Sequence, residues 1–200
     1  MTINTFDDIK QFINPKSDDE FWHLQILKRK KENPELGSNS LVLKTHYITS
    51  VEHLEKLMPS IINLCKSENA RAMINLNRRS FEQIAFQMLR KVSEQIFNKD
   101  FKSVRKSYEN VCGKFGSEKD KKWIIDIDVN DPSVVKEVQE FIDGIQPEGT
   151  KTLVVLRTKN GFHIITKPFR LDIYNKKFPE HEVHKNNPMN LYIPEQLSFI

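Results

Sequence analysis

The stretch Lys122-Trp123-Ile124-Ile125-Asp126-Ile127-Asp128 constrains this chain more than any other. Ile125 and Ile127 alternate with Asp126 and Asp128, and residues two apart on a strand share a face. The alternation predicts a strand whose isoleucines enter a core while its two carboxylates project side by side. Like charges so placed oppose each other's ionisation, so the pattern calls for a cation between them. A hard divalent ion, Mg²⁺ or Mn²⁺, is the economical choice, because it takes oxygen ligands and bridges to phosphate. The competing reading is a strand end whose acids point into water.

A chain of 200 residues suits one domain, or one with two lobes, and is long enough to bury a core. Its net charge of +4 is compatible with a nucleic-acid partner. Cys65 and Cys112 form neither a disulfide framework nor a zinc-spaced set. A reducing cytoplasm is therefore expected. Met1 to Asp8 lacks the basic start and apolar run of a signal peptide, and no apolar stretch reaches membrane-spanning length. The abundance of Lys, Asn and Ile points to an AT-rich genome, that of a phage or a low-GC bacterium.

In chain order, Thr5 and Asp8 predict a short helix through Ile13, ended by Pro15. Ser17 with Glu20 has capping-box spacing and predicts a helix from Asp18 to about Lys31, with Phe21, Leu24 and Leu27 on one face. Its tail, Lys28-Arg29-Lys30-Lys31, either complements a helix dipole or tracks phosphates. Leu41 to Thr49 reads as a strand, and Ser50 caps a helix that Pro59 should kink or split. A strand at 72–76 leads to Arg78 and Arg79, which stand where a new helix begins behind Ser80 and Gln83. A helix start binds phosphate through its N–H groups, so both arginines are candidates for phosphate contact. Phe81, Ile84, Ala85, Met88, Val92 and Ile96 give that helix an apolar stripe. A basic helix from about Lys102 to Val111 follows, stopped by Gly113.

After the acid strand, Asp131-Pro132 caps a helix running to Gly144. Lys151 to Arg157 has an apolar middle that suits the interior of a sheet. Thr158-Lys159-Asn160-Gly161 reads as a hairpin turn returning through Phe162-His163-Ile164-Ile165-Thr166. Two short strands, at 182–184 and 190–193, flank the polar turn Lys185-Asn186-Asn187-Pro188.

Three pieces thus stand in order: a paired-acid strand, a hairpin delivering a histidine, and a late strand opening on an acid. This order resembles the archaeo-eukaryotic primase superfamily, the primase–polymerases included. Ile124-Ile125-Asp126-Ile127-Asp128 is similar to its apolar strand ending in acid–apolar–acid. Thr158 to His163 is similar to its small residue, any residue, then histidine behind a Thr- and Gly-containing turn. Glu182-Val183-His184 through Tyr192-Ile193-Pro194 looks like its third motif, in which the acid is often Asp. The resemblance covers roughly the C-terminal half of the chain.

The resemblance implies a metal-dependent nucleotidyltransferase that copies a template from nucleoside triphosphates. Asp126 and Asp128 would bridge two Mg²⁺ or Mn²⁺ ions, with Glu182 completing the metal site and Asp172 competing for that role. His163 would contact the incoming phosphates, and Arg157 and Lys159 lie close enough in sequence to assist. Arg78, Arg79 and the basic helix from Lys102 are placed along the path of phosphates. The implied partners are nucleoside triphosphates, a DNA template, and a helicase or another replication protein. No zinc-binding cysteine set is present, and little chain follows the third motif. A catalytic core is therefore better supported than unaided primer synthesis.

Two rival patterns fall on spacing. A calcium loop beginning at Asp126 would need Gly where Asp131 stands. A two-histidine phosphodiesterase wants His and Thr two apart, whereas His46/Thr49 and His163/Thr166 are three apart. A non-catalytic nucleotide or nucleic-acid binder and a metal-dependent nuclease remain as alternatives. The expected fold is α/β or α+β, a single two-lobed domain. Its helix-rich N-terminal portion spans 1–112, and a catalytic-motif portion with a mixed sheet flanked by helices spans 113–200.

Overall fold

The computed structural model describes residues 2–114, 116 and 120–195. In chain order the first elements are β1 (Ile3–Asn4), α1 (Phe6–Lys10), β2 (Glu20–Arg29), β3 (Ser40–Ile48), α2 (Val51–Ser67), β4 (Arg71–Ile74) and β5 (Arg79–Ser80). They are followed by α3 (Phe81–Phe97), a 3₁₀ helix (Phe101–Lys106) and α4 (Ser107–Lys114). Then come β6 (Trp123–Ile127), α5 (Pro132–Gly144), β7 (Thr152–Arg157), β8 (Phe162–Thr166), α6 (Leu171–Lys177), β9 (Val183–His184) and β10 (Met189–Ile193). These elements divide into two compact units, Met1–Ser117 with Pro188–Ile200, and Glu118–Asn187. The class is α+β. In place of the expected mixed sheet, the strands form two sheets whose pairings among the described residues are antiparallel. Among those residues no helix is long and apolar enough to cross a membrane.

The first unit is built around β2, which pairs with β3, β4 and β5 in a sheet ordered β1-β10-β4-β2-β3. The helix expected from Asp18 to Lys31 is this strand. Phe21, Trp22, His23, Leu24, Ile26 and Leu27 are all buried, which a one-sided helix could not achieve. A strand covered on both faces reads as a near-continuous apolar run. Glu20 does not serve as the acid of a capping box; its Oε2 accepts the Lys16 N–H at 2.7 Å. Two other caps form as expected. Ser50 Oγ accepts the His53 N–H, and Ser80 Oγ accepts the Gln83 N–H. Pro59 does not split α2, which runs through it as one element.

The stripe expected on α3 is rotated. Ile84 and Gln95 are buried, and Met88 packs on the cluster of Phe21, Ile84, Val111 and Cys112. Ile96 is exposed instead, beside exposed Phe86, Leu89 and Phe97. Gln95 accepts burial because its side-chain oxygen takes the Ser107 hydroxyl at 2.6 Å. The basic helix after Lys102 is two pieces, a 3₁₀ turn and then α4, which passes through Gly113 to Lys114.

The second unit has the order β6-α5-β7-β8-α6-β9 and the sheet order β7-β8-β6-β9. Two β-α-β segments interleave in the split, ferredoxin-like arrangement. Asp131 Oδ1 accepts the Ser133 N–H at 2.8 Å, with Pro132 in the first turn, so α5 starts where the sequence places it. Both helices cover one face of the sheet. Ile125, Ile127 and Ile164 pack there with Val138 and Ile142 of α5 and Tyr174 of α6. β7, expected in the sheet interior, is an edge strand, because β8 folds back between it and β6. The strand at 190–193 is β10, and it belongs to the first unit, between β1 and β4.

Ile125→Ala is expected to cost about 2–5 kcal/mol, since it opens a cavity in a fully packed core. Phe97→Ser, at a side chain 87% exposed, is expected to stay within about 0.5 kcal/mol of wild type. Urea unfolding of the two variants checks both.

Candidate active site around Asp126

Asp126 lies on β6 between β8 and β9. Its register partner on β8 is His163, and its N–H donates to the Glu182 carbonyl at 2.9 Å. On the other side of β6, Ile124 lies opposite His184 of β9. Residues opposite each other in an antiparallel pair share a face, and residues two apart on a strand do too. Asp126, His163, Glu182 and His184 are therefore on one face, and Ile125 and Ile127 point the other way, toward α5 and α6.

The side chains form a chain of polar contacts. His163 Nε2 stands 3.3 Å from Asp126 Oδ1, and His184 Nε2 stands 4.0 Å from Asp126 Oδ2. His184 Nδ1 is 3.4 Å from Glu182 Oε1 and 3.0 Å from the Asn187 side-chain nitrogen. Asp126 thus sits between two imidazoles. The hydrogen bond from His163 holds its carboxyl below the ordinary 3.8; burial opposes this, and the charges of His163, His184 and His181 add to it. A depressed carboxyl stabilises the fold above its unfolded pKa, and that contribution is lost as pH falls through the lower folded value.

Asp128 is exposed, one residue past the end of β6. The β7–β8 turn rests on the backbone beside it. A Cβ added to Gly161 would lie 1.9 Å from the Ile127 carbonyl oxygen and 2.9 Å from the Val129 nitrogen, so only glycine fits. The turn closes by Thr158 N–H to the Gly161 carbonyl at 2.9 Å and Gly161 N–H to Thr158 Oγ1 at 3.0 Å. Asn160 does not adopt the positive φ of a two-residue Asn-Gly turn. Arg157 Nη2 donates to Asn130 Oδ1 at 3.2 Å, which ties the hairpin to the segment following Asp128. Lys159 is exposed in the same turn.

Other residues singled out in the sequence lie elsewhere. Asp172 is on α6, where the Arg170 guanidinium holds its carboxyl down to about 2 through a two-pronged pair at 2.8 and 2.6 Å. Glu182, not Asp172, is the acid beside β6. Arg78 and Arg79 belong to the first unit and have internal partners. Arg78 pairs with Glu20 at 3.0 Å. Arg79 is buried and donates to the carbonyls of Cys112, Asn77 and Gly113. Burial pushes its pKa down to about 10. The two arginines at this helix start thus have structural partners, Arg78 on β2 and Arg79 tying β5 to the end of α4.

Among the described residues no group of three or more His, Cys, Asp or Glu side chains is arranged as a metal cage. The oxygen donors of Asp126, Asp128 and Glu182 suit a hard divalent ion by their chemistry. His184 is the site residue that sequence reading passed over. Its signal was the spacing Glu182-Val183-His184, which sets both side chains on one strand face.

His163→Ala is expected to raise the Asp126 pKa toward its ordinary value, which carboxyl-carbon NMR titration reads directly. Gly161→Ala is expected to destabilise the protein by about 1–3 kcal/mol, through overpacking at the Ile127 carbonyl; a thermal melt measures it. Comparison of the chain with protein-family models, curated proteins and solved structures finds no match, so a functional reading stands on the chain's own residues.

Proposed function

We propose that the second unit carries the active site of a metal-dependent nucleotidyltransferase of the primase–polymerase type. The observation that supports this reading is convergence. The acid strand, the glycine-led hairpin and the late acid are far apart in sequence, and they meet on one face of one sheet around Asp126. Nucleic-acid synthesis needs that grouping, because a triphosphate must be held and a 3′-hydroxyl activated at the same point.

In this reading the carboxylates of Asp126, Asp128 and Glu182 hold Mg²⁺ or Mn²⁺. The bound ions would supply Lewis-acid activation of the 3′-hydroxyl and neutralise the triphosphate. In the reaction the 3′-hydroxyl would lose its proton to water as its oxygen bonds to the α-phosphorus, and the bond from that phosphorus to the leaving pyrophosphate would break. His163 keeps its Nε2 side on Asp126 and turns the rest of the ring toward a phosphate oxygen. Asp126 orients that ring, and Gly161 lets the hairpin approach closely enough to place it. Arg157 and Lys159 add positive charge at the mouth of the hairpin. The partners proposed with this activity are nucleoside triphosphates, a DNA template and a helicase or other replication protein, in a cytoplasmic setting.

One observation favours a second reading, a nucleotide-binding protein that does not extend a primer. The Glu182 side chain is 78% exposed, with its Oε1 3.4 Å from His184 Nδ1. The experiment separates the two. Wild type is expected to extend a labelled primer on a template with Mg²⁺ or Mn²⁺, and Asp126→Ala to lose that activity. His163→Ala is expected to lose about 10²–10³-fold, the usual loss for one donor to a developing charge. Wild-type extension by Asp126→Ala would overturn the proposal. Metal-dependent triphosphate binding without extension would select the second reading.

A further inference from the structure

We infer that the second unit carries another ligand site, a cleft for an organic phosphate at the opposite end of the same sheet. Asp126 is near the end of β6, whereas the cleft is at the start of β6, the start of β7 and just past β8. Its cavity measures about 910 Å³ and lies among Lys121, Lys122, Leu153, Lys167 and Arg170. That is within the range of small-molecule sites.

The lining has two characters. Lys121, Lys122, Lys167 and Arg170 supply cations, Arg170 being already paired with Asp172, and Asp120 is the one acid among the described lining residues. Pro147, Leu153, Pro168 and Phe169 supply an apolar wall. Among the described lining residues cations outnumber carboxylates, which favours a ligand that brings negative charge. Several ammonium and guanidinium groups around one concavity suit a phosphate better than a single carboxylate. Pro147, Pro168, Leu153 and Phe169 suit the body of a nucleoside. The chemistry named is thus a phosphate ester with an apolar or aromatic body, either a free nucleotide or the phosphorylated end of a strand.

The cleft is built rather than incidental. The Arg170 N–H donates to the Gln146 carbonyl at 2.9 Å, and the Lys167 N–H to the Lys151 carbonyl at 2.9 Å, so its walls are tied together. The Arg170 guanidinium is steadied by Asp172. On β7 the register jumps between Thr152 and Val154, leaving Leu153 as a bulge. Bulges re-aim a side chain, and Leu153 lines the cleft. Phe169 is held from behind by Trp123, ring centroids 5.2 Å apart and edge on.

This inference does not rest on the polymerase reading, and its test keeps the two apart. The full chain is titrated by calorimetry with ATP, with a 5′-phosphorylated oligonucleotide and with inorganic phosphate, all in excess EDTA. Saturable binding of ATP or the oligonucleotide is expected without metal and unchanged in Asp126→Ala. The Lys122→Glu/Lys167→Glu variant is expected to weaken it about tenfold or more, as loss of charge-assisted hydrogen bonds implies. Leu153→Trp, which fills the cleft and leaves its cations, is expected to abolish ATP binding while sparing inorganic phosphate. Tighter ATP binding assigns the cleft to a free nucleotide, and tighter oligonucleotide binding assigns it to a strand end. Absence of saturable binding by either probe, or binding that needs metal or is lost in Asp126→Ala, would overturn the inference. Unchanged thermal melts for the charge-reversal and Leu153→Trp variants show that any loss is local.

Discussion

The face of the second sheet turned away from α5 and α6 depends on the register that sets Asp126 against His163. A slip of one residue on β6 would move every side chain to the other face. Ile125 and Ile127 would then meet the imidazoles, and Asp126 would enter the apolar layer under α5. Two constraints oppose the slip. The isoleucines are fully buried among Val138, Ile142 and Ile164, so a shift would exchange apolar burial for buried charge. Gly161 also sits on the Ile127 carbonyl so closely that the hairpin tip has one place to rest. Packing on one face and a single missing Cβ on the other therefore determine the same geometry.

Local chemistry made much of this legible in the sequence. The alternation in Trp123 to Ile127, the Asp131-Pro132 cap and the hairpin around Gly161 each have a short-range physical cause, and each appears where the residues put it. What failed needed long-range information. Glu20 to Arg29 carries helix-like spacing and a capping-box pattern, yet it is a strand because β3 and β4 flank it and both its faces are covered. The apolar run of β7 resembles a central strand, but the hairpin that follows leaves it at the edge. On α3 the apolar arc is wider than the surface beneath it, so periodicity alone could not say which half is buried.

The site divides the same way. The placement of Asp126, His163 and Glu182 on one sheet face was legible because strand alternation and one glycine carry it. His184 was missed although its spacing from Glu182 is just as regular, because attention went to the acid of the pair. Arg78 and Arg79 show the opposite error. Their position at a helix start suggested phosphate, but a guanidinium has five donors, and Arg79 gives its own to carbonyls inside the first unit. Sequence position reports where a charge enters the fold. It does not report whether carbonyl groups are waiting there.

Charge along β6 is ordered, with Lys121 and Lys122 before the strand and Asp126 and Asp128 at its end. For an anionic ligand in the absence of metal, the two ends therefore act oppositely. The basic end attracts it, and the carboxylates of the acidic end oppose it, offset in part by Arg157 and Lys159 of the hairpin. A divalent ion at the acidic end inverts that end's preference, since a bound cation outweighs the local carboxylates. On the two proposals made above, one strand would present two phosphate-directed sites, one open without metal and one opened by it. Ile125 and Ile127 pack under α5 between those two ends of the strand, and on these proposals metal dependence is what distinguishes the ends.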